Sequence, residues 1–142
     1  MLVRCAYASR AADLPMGALL DSILQRSREY NPSHGITGLL CVSGKTFIQV
    51  LEGGRDEVCE LFNAIVGDRR DANVRLLSYE EIPNRKFGSW TMGQVDLARV
   101  NPSVLLKYHD RAELNPFNCS GQATMALLDE LVSAALITGR NI

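Results

Sequence analysis

Gly35-Ile-Thr-Gly-Leu-Leu-Cys-Val42, Ser43-Gly44 and Lys45-Thr-Phe-Ile-Gln-Val-Leu51 form the stretch that decides the fold. Two β-rich runs separated by two residues, one of them glycine, read as an antiparallel hairpin. Phe47 and Leu51 fall on one face of its second strand, Ile48 and Val50 on the other, so both faces need cover. Gly53-Gly54 breaks the strand. Asp56 and Glu57 then put negative charge in a first helical turn, and Val58, Leu61, Phe62, Ile65 and Val66 supply an apolar stripe.

Upstream, Leu2 to Ser9 reads as a first strand closed by Tyr7 and small residues. From Asp13, placed to cap a helix, Met16, Leu19, Leu20, Ile23, Leu24 and Tyr30 recur at helical spacing. Pro32 predicts that this helix stops near Asn31. Downstream, Val74 to Ile82 is a strand, and Trp90 to Leu97 a weaker one. The order β-α-β-β-α-β-β predicts an α+β, ferredoxin-like sheet with both helices on one face. After Pro102 and Pro116, the segment Gln122 to Leu136 carries Met125, Leu128, Val132, Ala135 and Leu136 at helical spacing, with Gly139 as a stop. This helical segment is the predicted cover for the second face.

The 142 residues suit one core, with 46% hydrophobic and 22% charged residues and a mean hydropathy of -0.02. Fifteen Lys and Arg against 16 Asp and Glu provide no net positive field, which argues against nucleic acid or an anionic membrane as partner. The N-terminus lacks the apolar run of a secretory signal and no stretch suffices to span a membrane, so a cytoplasmic location is expected. Cys5, Cys41, Cys59 and Cys119 form no CxxC pair, and with only His34 and His109 they predict no metal site. They read as reduced, mostly buried fillers. Neither histidine receives a functional role.

Familiar catalytic groupings are missing: there is no GxSxG, P-loop, GxGxxG or HExxH. The chain is not read as an enzyme. An acylphosphatase-like hydrolase of this fold would need an arginine phosphate cradle with an adjacent asparagine, which does not follow the first strand. What calls for explanation is Gln49, mid-strand on the face of Phe47 and Leu51, because a buried carboxamide is costly unless it finds partners. In a ferredoxin-like sheet the first strand and the second hairpin strand are usually neighbours, so Tyr7 and Gln49 can meet beneath the helices. Asn31 can approach the same crevice, and Ile23 and Ile65 can flank it. Such a neutral hydrogen-bonding wall suits the edge of a flat heterocycle. A light-independent ligand-binding regulatory module is the other reading of these residues, and it predicts a colourless protein.

Tyr7 within Cys-Ala-Tyr-Ala-Ser, Asn31 followed by Gly35-Ile-Thr-Gly-Leu-Leu40, Phe47-Ile-Gln-Val-Leu-Glu-Gly53 and Trp90-Thr-Met92 together resemble the BLUF family of blue-light sensors using FAD. The resemblance spans about residues 1 to 97. It implies FAD held noncovalently between the two helices, with Tyr7 as the photoactive tyrosine, Gln49 as the switching glutamine and Asn31 on the flavin carbonyl edge. It also places Ile23 and Ile65 against the flavin ring, and gives Trp90 and Met92 the signal-relay positions of the last strand. Asp68 and Arg70 resemble a helix-end D-x-R-H element near the flavin side chain, with Asp71 where the family usually has His. Tyr30 stands where an aromatic ring could stack on the flavin.

These expectations divide the chain into a sensor domain, residues 1–97, and a C-terminal helical extension, residues 98–142, packed on the sheet. The 45 residues of the extension are few for an attached enzyme domain, so the signal is expected to leave through a surface. By resemblance to short family members, the partners are a homo-oligomer and a separate effector protein, either a cyclic-dinucleotide enzyme or a transcription regulator.

Overall fold

The computed structural model describes residues 1–11, 16–68, 71–88, 91–96 and 100–133. In chain order the elements are β1 (Leu2–Ala11), α1 (Met16–His34), β2 (Thr37–Ser43), β3 (Thr46–Gly54), α2 (Arg55–Val66), β4 (Asp71–Ile82), β5 (Gly93–Asp96), α3 (Pro102–Tyr108), a 3₁₀ turn (Pro116–Asn118) and α4 (Gly121–Ser133). The sheet order is β4-β1-β3-β2-β5. β3 runs antiparallel to both β1 and β2, and β1 antiparallel to both β3 and β4. β1 and β2 therefore point the same way with β3 between them, as do β3 and β4 with β1 between them. Each pair needs a crossover, which α1 and α2 supply.

The pleat sorts the apolar side chains into two cores. Cys5, Tyr7, Leu40, Phe47 and Leu51 pack with Leu19 and Ile23 of α1 and Val58, Leu61 and Ile65 of α2. Ala6, Ala8, Leu39, Cys41, Ile48 and Val50 face the other way, against Leu105 of α3 and Leu127, Leu128 and Leu131 of α4. The α+β fold with helices on one face and a C-terminal helical segment on the other is the predicted one.

Several local readings change. α1 runs through Pro32 to His34 instead of stopping near Asn31. The true stop is Gly35, whose φ of +66° starts a left-handed turn in which Ile36 N–H donates to the Asn31 carbonyl at 3.0 Å. That is the Schellman pattern, and a proline in the last turn lies too late to break the helix. The hairpin turn is Gly44-Lys45 rather than Ser43-Gly44, because Ser43 still pairs with Thr46 and Gly44 carries the positive φ of +58° at the first turn position. β4 begins earlier than expected, at Asp71, and β5 is shorter than the expected run.

Val66 belongs to no stripe: it is 52% exposed, while Val58, Leu61 and Ile65 are buried. α4 buries Thr124, Leu127, Leu128 and Leu131, so its inner face is rotated from the expected one, and Met125 and Val132 are only half-buried. α3 was not expected at all. Its seven residues are too few for a visible period, and its signal is local: Asn101 accepts from Ser103 N–H at 3.0 Å, with Pro102 opening the helix. Asp13, Leu97, Ala135, Leu136 and Gly139 lie outside the described residues.

Candidate functional site

The antiparallel register places Tyr7 of β1 directly beside Gln49 of β3, both facing the α1 and α2 side. Tyr7 is wholly buried and Gln49 2% exposed. Burial of these polar groups forces them to satisfy each other, and the Tyr7 hydroxyl donates to Gln49 Oε1. Phe47 and Phe62 meet the Tyr7 ring edge-on at centroid separations of 6.2 and 5.6 Å, which fixes the phenol's orientation.

Gln49 Nε2 points at Met92 Sδ, 3.7 Å away, next to the start of β5. A thioether is a weak acceptor, so this buried N–H is poorly satisfied compared with the carbonyl end of the same side chain. Asn31, 1% exposed in the last turn of α1, donates from Nδ2 to the Thr91 carbonyl at 3.0 Å. Thr91 and Met92 are thus tied, respectively, to α1 and to β3. Ile23 of α1 and Ile65 of α2 are buried in the same cluster as Tyr7.

Asp68, just beyond the C-terminal end of α2, faces Arg26 in the middle of α1 with a 3.4 Å ion pair. Tyr30 is stacked on His34, ring centroids 3.7 Å apart and nearly parallel. Arg70 and Trp90 lie outside the described residues. Sequence reasoning assigned no role to Thr91, Phe62 or Glu52. Phe62 was visible in the helical stripe, whereas a backbone carbonyl such as that of Thr91 leaves no residue-type signal.

The donor set fits an isoalloxazine ring. Its edge carries carbonyl and ring-nitrogen acceptors beside an imide N–H, and Tyr7, Gln49 and Asn31 are neutral, buried groups with both donors and acceptors. A flavin carbonyl is a better acceptor than the Met92 sulfur for the Gln49 N–H. Ile23 and Ile65 offer the apolar contact a flat ring needs, and no charged side chain stands among these five residues to oppose a neutral heterocycle. Among the described residues no group of three or more His, Cys, Asp and Glu could hold a metal ion.

The family BLUF, sensors of blue-light using FAD, matches residues 2–93. The chain belongs to the BLUF family, and the matched region is a blue-light sensor using FAD rather than an enzyme domain. The blue light- and temperature-regulated antirepressor BluF of Escherichia coli (strain K12) is 30% identical over 97 residues, which are 68% of this chain and 24% of that protein. The chain thus spans about a quarter of the length of the curated relative it matches. The photo-activated state of BlsA is 30% identical, with a TM-score of 0.84 over 100% of this chain and 99% of the other. Klebsiella pneumoniae BlrP1, solved with FMN and cyclic diGMP, is 28% identical, with a TM-score of 0.69 over 95% of this chain and 35% of its own.

Proposed function

We propose that Tyr7 and Gln49 are the photoactive pair of this sensor and that light acts on it by rearranging hydrogen bonds without net chemistry. The observation that carries the reading is the buried Tyr7-to-Gln49 hydrogen bond with the other end of the carboxamide on Met92. FAD, when bound, supplies blue-light absorption and an excited state able to oxidise a neighbouring phenol. With the cofactor in place, Tyr7 would pass an electron and its hydroxyl proton to the excited flavin and regain both on recombination. Gln49, no longer held by the Tyr7 donor during that interval, changes by rotation or tautomerisation what it presents to its neighbours, and the partner of Met92 changes with it. With FAD bound, the family resemblance would have Asn31 hold the flavin carbonyl edge, Ile23 and Ile65 flank the ring, Tyr30 stack on it, and Asp68 and Arg70 serve the flavin side chain. Trp90 and Met92 are the signal-relay positions that the family resemblance implies, and Met92, next to the start of β5, would pass the change to that strand.

Residues 1–97 act as the sensor and the C-terminal extension, residues 98–142, as its output segment, acting through α3 and α4 on the second face. The output goes to a separate effector, in a homo-oligomer located in the cytoplasm. The antirepressor named for the Escherichia coli relative and the cyclic diGMP bound to BlrP1 support a transcription regulator or a cyclic-dinucleotide enzyme as that effector. The four cysteines are free thiols, which agrees with a reducing compartment. Among the described residues no helix is long and apolar enough to cross a membrane.

The test is spectroscopic. Supplied with FAD, the protein should turn yellow and shift its absorption to longer wavelength under blue light, reverting in the dark. Tyr7→Phe and Gln49→Leu should keep the cofactor and lose the stable shift. An unchanged photocycle in either variant contradicts the assignment.

A further inference from the structure

Three residues from Gln49 on β3, the carboxylate of Glu52 points to the opposite face of the sheet and is wholly buried. Arg4 of β1 holds it through Nε and Nη2, both 2.8 Å from Oε2. Arg4 also reaches Glu80 of β4 at 2.8 Å, so its charge is shared between a buried and an exposed acid. The remaining capacity of Glu52 goes to the backbone of the segment between β4 and β5: Lys86 N–H donates to Oε2 at 3.1 Å and Phe87 N–H to Oε1 at 2.6 Å. Both residues so held touch the tail. Phe87 is buried in the same cluster as Leu127, Leu128 and Leu131, and Lys86 Nζ bridges both carboxylate oxygens of Asp129 on α4 at 3.1 and 2.9 Å.

β3 therefore grips one chain segment twice, at Lys86 and Phe87 through Glu52 and at Met92 through Gln49. The two grips lie on opposite faces of the sheet, one in the core under α1 and α2 and the other in the core under α4. We infer that Glu52 is a positioning residue of the output: it anchors residues 86 and 87, so that a displacement at Met92 is passed to α4 instead of being absorbed between the two grips. A carboxylate suits this place because it accepts from two successive backbone amides and from Arg4 at once, which a neutral carboxamide with a single oxygen cannot do. The inference rests on the assignment of Gln49 as the light-dependent partner of Met92.

Amide hydrogen exchange of residues 121–133, measured on the FAD-loaded full chain in the dark and under continuous blue light, tests it. The wild-type rates should differ by about fivefold or more between the two states, the scale of an ordinary coupling free energy, and those of Glu52→Gln by less than about twofold. A purely structural role would raise exchange in both states and leave their ratio intact. Lys86→Met removes only a half-exposed side chain, so it serves even if Glu52→Gln does not fold, and it should also shrink the ratio. A wild-type ratio in a folded Glu52→Gln, or in Lys86→Met, overturns the inference, as does a wild-type α4 whose exchange ignores light. The absorption shift is read in the same samples. Its retention in both variants is expected, and its absence from the wild type would count against the Tyr7 and Gln49 assignment instead.

Discussion

At the scale of single residues, burial decides which groups can react. Burial pushes the Cys41 thiol from an ordinary value of about 9 up to about 12, and it does the same to Cys5, with a smaller contribution from nearby Cys59. Both are inert thiols at neutral pH. A thiol reagent at pH 8 should label Cys59 and Cys119, both half-buried, before Cys5 and Cys41. The same shift fixes a pH dependence. The folded chain keeps protons that the unfolded chain releases, so this contribution is complete below about pH 9 and is lost as pH rises from 9 towards 12. The loss is up to about 1.4 kcal/mol per pH unit for each thiol. Denaturation midpoints at pH 8 and pH 10 should show it, and Cys41→Ala should flatten the slope. Arg4 is a residue of the opposite kind, charged and buried. Arg4→Met leaves the Glu52 carboxylate without its buried partner and should cost about 3–5 kcal/mol in denaturant unfolding, more than the loss of Glu80, whose side chain is half exposed.

At the scale of elements, close approach rather than propensity sets what is tolerated. α4 begins against β4 so tightly that a Cβ on Gly121 would lie 1.9 Å from the Leu77 carbonyl oxygen. Gly121→Ala must push the helix off the strand and should destabilise by about 1–3 kcal/mol, read as a lower melting temperature. Leu127, wholly buried at the centre of α4, should cost about 2–5 kcal/mol on truncation to alanine. Exposed Leu106 of α3 should cost far less, which tests whether the tail helices owe their place to the face they bury. None of these three tail substitutions touches the Tyr7 side of the sheet, so all should leave the flavin's dark absorption unchanged.

At the scale of the whole molecule, one sheet separates the core under α1 and α2, which holds Tyr7, from the core under α3 and α4, and β3 contributes side chains to both. Affinity capture from the native host in light and in darkness should recover a partner whose binding depends on light, and Met92→Ala should weaken that dependence. Equal capture in both states, unaffected by Met92→Ala, would contradict a route through the last strand. The sequence by itself determined the order of β1 to β5 with α1 and α2, though not α3, because alternation and helical period are local, and it singled out Gln49, because a glutamine within an apolar strand is conspicuous to elementary energetics. It also carried the two-faced hairpin that obliged the tail to return. Only the tertiary structure decided that Tyr7 and Gln49 are direct register partners, that Gly35 and not Pro32 ends α1, and which face of α4 turns inward. It alone revealed that Glu52 ties residues 86 and 87 to β3, since pairings across 34 and 35 positions of chain leave no periodicity to read. Such contacts exist only once the sheet has closed and burial has made each polar group find its nearest partner.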